Sequence, residues 1–222
     1  MTFLRRFLVA LSVVTLIVFA GNASANILLN PGFETGTGAD AADWTEIGGG
    51  PGSTVRSGAM PSSGSFAAYM SFDHIANTPA PGAYFIEQNQ GANVIDNTVN
   101  YDLTFDAKVD STDFTGINTF YQILWLDQDG SHGGGVKGET LTQLTSAGIN
   151  TSYQTFSLLN IDVPDGTDSF LLRFQMSSGP IPGIANGLWV DNASLAAVVP
   201  EPASLGLLMT GGLLALARRQ RK

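Results

Sequence analysis

Carboxylates are the commonest chemically active side chains in this sequence: nineteen Asp and Glu stand against ten Lys and Arg, with two histidines and no cysteine in 222 residues. Without thiols there is no disulfide framework, no zinc-thiolate site and no cysteine nucleophile. His74 follows Asp73, and His132 opens the run Ser131-His132-Gly133-Gly134-Gly135; neither is framed by a nucleophile or metal-ligand motif. A lone loop histidine of this kind reads as a solvated side chain rather than a general base. The acids offer many pairs for glycoside hydrolysis, but no spacing singles one out. Neither a P-loop nor a dinucleotide fingerprint occurs. Asp127-Gln128-Asp129-Gly130 begins like a calcium loop yet lacks the downstream Glu, so it reads as a hairpin turn in which Asp-Gly supplies positive φ.

The aromatic and amide side chains suit a different chemistry. Sugar recognition needs flat rings to stack on C–H groups, together with Asp, Asn, Gln or Arg to exchange hydrogen bonds with hydroxyls. Parity selects candidates. In Phe66 to Phe72 the Phe66, Met70 and Phe72 face reads as core, which turns Tyr69 the other way. In Phe170 to Met176 the four even-numbered apolar residues share one face, leaving Arg173 and Gln175 on the other. Between Phe120 and Leu126 both faces are apolar; Tyr121 and Trp125 lie with Ile123, opposite Phe120, Gln122, Leu124 and Leu126. Tyr69, Tyr121, Trp125, Arg173 and Gln175 are the candidate ligand residues, whereas Trp44 and Trp189 read as structural.

Positioning these residues falls to strands. Tyr101 to Val109 alternates apolar and polar without a break, the pattern of a strand with one buried and one wet face. Similar runs occur at 66–72, 83–88, 119–127, 153–163, 169–176 and 188–195, separated by Gly, Pro, Asn and Asp clusters such as Gly48 to Gly52 and Pro164-Asp165-Gly166. No segment keeps a 3.6-residue period, and neither an internal repeat nor a composition break divides the middle. Residues 26–198 therefore predict one all-β domain, an antiparallel β-sandwich of about eight to ten strands.

The two ends differ from this middle. Residues 1–25 have a basic start (Arg5, Arg6), an apolar run from Phe7 to Ala20 and the small-residue sequence Ala23-Ser24-Ala25. This is the pattern of a secretory signal peptide cut after Ala25, and it implies signal peptidase as a partner during export. Residues 199–222 carry Pro200-Glu201-Pro202, an apolar stretch from Leu205 to Ala217, and Arg218, Arg219, Gln220, Arg221 and Lys222. From Ala203 to Ala217 a short apolar helix would reach roughly 22 Å, less than a bilayer core of about 30 Å, so it is a marginal transmembrane anchor. Its basic end would stay cytoplasmic and leave the body outside. The triplet, helix and Arg-rich end, in that order, resemble the PEP-CTERM sorting signal. In that family a membrane exosortase recognises and removes the signal in bacteria that make extracellular polysaccharide. Between the ends lie four basic and eighteen acidic residues, a balance of −14. Such a body repels phosphate and is expected to bind no nucleic acid.

The edges of the middle carry a second resemblance. Asn26-Ile27-Leu28-Leu29-Asn30-Pro31-Gly32-Phe33-Glu34-Thr35-Gly36, followed by Trp44, and the closing Leu188-Trp189-Val190-Asp191-Asn192-Ala193-Ser194-Leu195 are similar to the first and last strands of jelly-roll carbohydrate-binding modules of the galactose-binding-like type. That resemblance implies a jelly roll whose first and last strands run side by side. It also implies a structural Ca²⁺ on Glu34 and Asp191, with backbone carbonyls completing six to eight hard oxygen ligands. The expectation is an exported, non-catalytic protein of the cell surface or extracellular matrix, binding extracellular polysaccharide and held, transiently or permanently, by its tail. Two alternatives stay open: a surface protein that packs on copies of itself or on other proteins through β edges, and a glycoside hydrolase.

Overall fold

The computed structural model describes residues 25–48, 52–72, 82–127, 135–178 and 185–198. Their strands are β1 (Gly36–Thr37), β2 (Asp40–Ala41), β3 (Thr45–Ile47), β4 (Gly52–Ser57), β5 (Ala67–Phe72), β6 (Gly82–Gln90), β7 (Tyr101–Val109), β8 (Ile117–Leu126), β9 (Val136–Gln143), β10 (Gln154–Ile161), β11 (Ser169–Ser178) and β12 (Asn186–Ala197). Two five-stranded antiparallel sheets, in the orders β10-β7-β12-β5-β4 and β3-β6-β11-β8-β9, account for all but the small β1-β2 hairpin. The all-β antiparallel sandwich expected from periodicity is the fold observed. Among the described residues no helix is long and apolar enough to cross a membrane. The expected sorting residues Pro200, Glu201 and Pro202, the stretch expected to form the apolar tail helix, most of the expected signal peptide including Ala23, and both histidines lie outside the described residues.

Alternation builds the core. Tyr101, Leu103, Phe105, Ala107 and Val109 of β7 all point inward, toward Tyr121, Ile123 and Trp125 of β8 and Phe170, Leu172, Phe174 and Met176 of β11. Phe105 sits at the centre, edge-on to Phe174 (4.8 Å between centroids) and to Tyr121 (5.2 Å). Edge-to-face rings of this kind add about 0.5–1.5 kcal/mol to their burial. Residues Asn26–Ala197 form one compact unit closed by these side chains.

The chain's beginning lies along its end. Asn26 bridges to Ala196, Ile27 N–H donates to the Leu195 carbonyl (2.9 Å), and Ala193 N–H donates to the Pro31 carbonyl (2.9 Å). Asn30, in the left-handed region (φ 46°), folds the following loop around its amide: Nδ2 donates to the carbonyls of Thr35 and Ala42, and Oδ1 accepts from Thr35 N–H. The Asn30 carbonyl takes the Trp44 indole N–H at 3.0 Å, and Phe33 packs on that ring at 4.9 Å. The short motif Asn30 to Trp44 is therefore a self-bonded loop that presents Glu34 at the sheet edge.

Besides the short β1, β2 and β3, two longer strands depart from expectation. Gly52, read as part of a turn, opens β4, and β9 was not foreseen. In β4 the inward residues are Thr54 and Arg56 rather than hydrophobes. Arg56 is 7% exposed. It lies over the Phe66 ring and donates to the carbonyls of Phe33 (2.6 Å), Glu34 (2.6 Å) and Gly38 (3.3 Å).

Candidate functional site

The expected carboxylate pair is brought together. Asp191 on β12 is fully buried; its Oδ2 accepts from the N–H groups of Ser62 (2.9 Å) and Ser63 (3.0 Å), and its Oδ1 accepts from Asn192 N–H (2.7 Å). Glu34 Oε1 accepts from Ser65 (2.9 Å) and Phe66 (3.1 Å) in the same loop. Gly32 lies between the two acids: a Cβ there would sit 3.7 Å from both Asp191 Oδ1 and Glu34 Cγ. Burial raises the Asp191 carboxyl above its ordinary range, the three N–H bonds act against the rise, and the Glu34 charge adds to it. Among the described residues no group of three His, Cys, Asp or Glu converges on one point. The site is two hard carboxylates around a loop, each held by backbone N–H groups. The carbonyls of Phe33 and Glu34 are already engaged by Arg56.

Arg173 and Gln175 face outward from the second sheet, as parity predicts. In register, Arg173 lies between Glu87 of β6 and Gln122 of β8, with Leu141 of β9 beyond; Gln175 lies between Phe85 and Phe120, with Gln143 beyond. Arg173 donates from Nε (2.8 Å) and Nη2 (2.7 Å) to Glu87 Oε2 and from Nη1 to Gln122 Oε1 (3.3 Å); Gln122 Nε2 donates to Glu139 Oε1 (2.7 Å). The guanidinium also stands 4.2 Å over the Phe85 ring. Four strands thus share one polar row, whose mixed donors and acceptors match hydroxyl groups that both give and take hydrogen bonds. The half-buried rings of Phe85 and Phe120 flank it, two strand spacings apart, or about 9.6 Å.

The other three candidates are elsewhere. Tyr121 (5% exposed) and Trp125 (1% exposed) point into the sandwich, against Phe105 and Tyr101. They have no open face for a ligand, which corrects the expectation that placed them among ligand residues. Tyr69 is on the outer face of the first sheet, on the opposite side of the sandwich from Arg173. Its ring stacks on Trp189 (4.1 Å between centroids), and its hydroxyl donates to Asp110 Oδ2 (2.8 Å), whose Oδ1 takes the Trp189 N–H (2.8 Å). Burial first, then Asp110, raises the Tyr69 phenol. Phe85, Glu87 and Phe120 belong to the outward row but were not selected from sequence. The missing signal was the sense of β6: Tyr84 and Phe85 are both aromatic, so alternation did not say which of them faces out.

Three comparisons bear on this architecture. Residues 198–222 match the family model of the PEP-CTERM protein-sorting motif. No curated protein matches the chain. Among solved structures, carbohydrate-binding modules from a β-sandwich superfamily with promiscuous specificity are similar at 14% identity and TM-score 0.51, over 80% of this chain and 63% of theirs. The tandem CBM22-1–CBM22-2 domain of Paenibacillus barcinonensis Xyn10C is similar at 14% identity and TM-score 0.50, over 82% and 48%. A Stig cyclase, Fisc, from Fischerella sp. TAU, crystallised with an indole compound, is similar at 16% identity and TM-score 0.52, over 81% and 100%. At these identities the likeness shows the fold, a β-sandwich shared by binding modules and by a cyclase alike, and function must be argued from the site.

Proposed function

We propose that this chain is an exported, non-catalytic protein of the cell surface or extracellular matrix that binds extracellular polysaccharide. In this reading signal peptidase removes residues 1–25, the tail holds the protein in the membrane, and exosortase acts on residues 199–222. The match to a PEP-CTERM sorting motif supports the export route. The observation that carries the binding reading is the outward row Glu87, Arg173, Gln122 and Glu139, bordered by Phe85 and Phe120. Its only guanidinium is paired with Glu87, and the body around it is acidic, so an uncharged glycan suits it and a polyanion is repelled. The recognised fold also occurs in carbohydrate-binding modules, in keeping with this reading.

Affinity electrophoresis of residues 26–198 in gels containing polysaccharides, including the producing organism's own, tests it. Retarded migration is expected in a neutral glycan. Substituting Arg173→Ala or Phe120→Ala is expected to weaken binding about tenfold or more, equivalent to about 1.4 kcal/mol. An absence of retardation in every polysaccharide would overturn the reading.

The proposal includes a structural Ca²⁺ held by Glu34 and Asp191. The residues present fit such an ion: both are hard oxygen donors, Asp191 carries the cost of a buried charge, and Glu34 adds a like charge beside it. Bound there, the ion would neutralise the pair. Glu34 would link it to the first loop and Asp191 to the last strand, a folding role with no part in chemistry.

A further inference from the structure

We infer that β9 is a docking edge for a second copy of this chain, in an antiparallel pairing centred on Leu141. The four sheet edges differ in how they are protected. β3 has only three residues. The free side of β4 is tied down: Arg56 N–H donates to the Ala39 carbonyl (2.6 Å) and Thr54 Oγ1 to the Ile47 carbonyl (2.8 Å). β10 is broken by a register shift between Leu158 and Ile161, where Asn160 turns to φ 58° and gives its N–H to Asp102 Oδ1. Bulges and local ties of this kind are how sheets avoid edge-to-edge pairing. β9 has none from Gly138 to Thr142: its register with β8 is regular there, and among the described strands β8 is its only neighbour; only at Gln143, where the strand ends, does the carbonyl accept from Ala147 N–H (3.2 Å). In the middle of this open run stands Leu141, 56% exposed.

The sequence of the run selects both the occupant and the register. Glu139, Leu141 and Gln143 share the outer face with Leu124, Gln122 and Phe120, while Thr140 and Thr142 share the inner face. Antiparallel partners must present the same face, so only registers with a residue on the two-fold axis are allowed. With Glu139 on the axis, like charges meet. With Thr140 there, each Glu139 opposes a leucine. With Leu141 there, leucine meets leucine, each Thr140 faces a Thr142, and each Glu139 carboxylate faces an uncharged Gln143, whose Nε2 already donates one N–H to Asn118 Oδ1 (2.6 Å) and keeps a second. These are favourable cross-strand pairs. The run is complementary to itself, which names a second copy as its partner.

The result would be a continuous ten-stranded sheet with the two outward polar rows side by side on one face. The two Arg173 residues would stand five strand spacings apart, about 24 Å. If the polysaccharide reading is right, a long chain could engage both rows at once, and the second contact would be made at high effective concentration. The pairing itself does not depend on that reading. The balance of −14 per body opposes association. The dimer is therefore expected to tighten as ionic strength rises from about 0.01 M to about 1 M and the Debye length falls from roughly 30 Å to 3 Å.

The cysteine-free background supplies the test. Directly opposed antiparallel residues have Cα atoms about 4.5–5.5 Å apart, within the range of about 4.4–6.8 Å that a disulfide requires. For residues 26–198, Leu141→Cys is expected to give a disulfide-linked dimer under mild oxidation. Leu159→Cys, on the blunted β10 edge and 62% exposed, is expected to remain a monomer. By sedimentation equilibrium the unmodified domain should show a monomer–dimer equilibrium that Leu141→Lys abolishes without changing the melting temperature. A domain that stays monomeric at every concentration and salt, or equal cross-linking rates at positions 141 and 159, would overturn the inference. Dimerisation without glycan retardation would leave it intact and remove only the polysaccharide reading.

Discussion

Asp106 shows how single side chains hold the outer face of the first sheet. Its Oδ2 accepts from Ser62 Oγ (2.9 Å) and Asn192 Nδ2 (2.8 Å), and its Oδ1 accepts from Thr155 Oγ1 (2.7 Å), so one carboxylate joins the loop before β5 to β7, β10 and β12. Burial works to raise its pKa, but the bonds from Asn192, Thr155 and Ser62 prevail and hold the carboxyl below its ordinary 3.8. A depressed acid stabilises the fold above its unfolded pKa and loses that contribution as pH falls toward the folded value. Asp106→Asn is thus expected to cost about 1 kcal/mol at neutral pH. The difference from the parent domain should shrink below pH 3.8, as urea denaturation across that range would show; a constant difference would contradict the assignment. Side-chain direction was legible in sequence where one face was apolar and the other polar, as for Arg173 and Gln175. It was not legible for Tyr121 and Trp125, because β8 carries large apolar residues on both faces and pattern alone cannot choose the inner one.

At the scale of elements, legibility followed burial. The run Tyr101 to Val109 was read residue for residue as β7, because five buried side chains alternate with four that meet water. Runs read for β5, β6, β8, β10, β11 and β12 fall within a few residues of the observed bounds. β9 and β4 escaped for opposite reasons. Val136–Gln143 is an edge exposed on much of both faces and has no alternation to display, whereas β4 hides an arginine and a threonine where a hydrophobe is expected. How strands meet is likewise invisible to periodicity. Gly187 of β12 lies opposite Ser71, and a Cβ on it would run into Tyr69 and the Asp110 carboxylate. Gly187→Ala should displace the Tyr69 ring from Trp189 and cost about 1–3 kcal/mol, with a red-shifted tryptophan emission as the indole gains water. Gly91→Ala, where a Cβ would meet nothing within 4 Å, should leave both readouts unchanged. Equal effects at the two positions would show that the Tyr69–Trp189 stack does not constrain β12.

The whole molecule adds a term that neither residue nor strand contains. Between residues 26 and 198 the chain carries eighteen acids and four bases, so the folded body repels itself, and any dissolved cation stabilises it by screening. A calcium response is therefore informative only against monovalent salt of equal ionic strength. Screening acts on every acid, whereas the proposed ion would act at two: Glu34, in the loop that opens the domain, and Asp191, in the strand that closes it. These elements are already hydrogen-bonded through Ile27 with Leu195 and Pro31 with Ala193, so calcium is expected to reinforce the closure rather than create it. Ligand at a hundred times its dissociation constant contributes about 2.7 kcal/mol. In a domain of this size each kcal/mol moves the melting temperature by about 2–4 °C, which gives roughly 5–10 °C in all. Glu34→Gln and Asp191→Asn are expected to lose that increment while keeping the response to monovalent salt. Asp106→Asn, which alters an acid outside the proposed pair, is expected to keep both. A midpoint that moves no further in calcium than in matched sodium chloride would remove the ion from the fold and leave the hydrogen-bonded loop to close the sandwich alone.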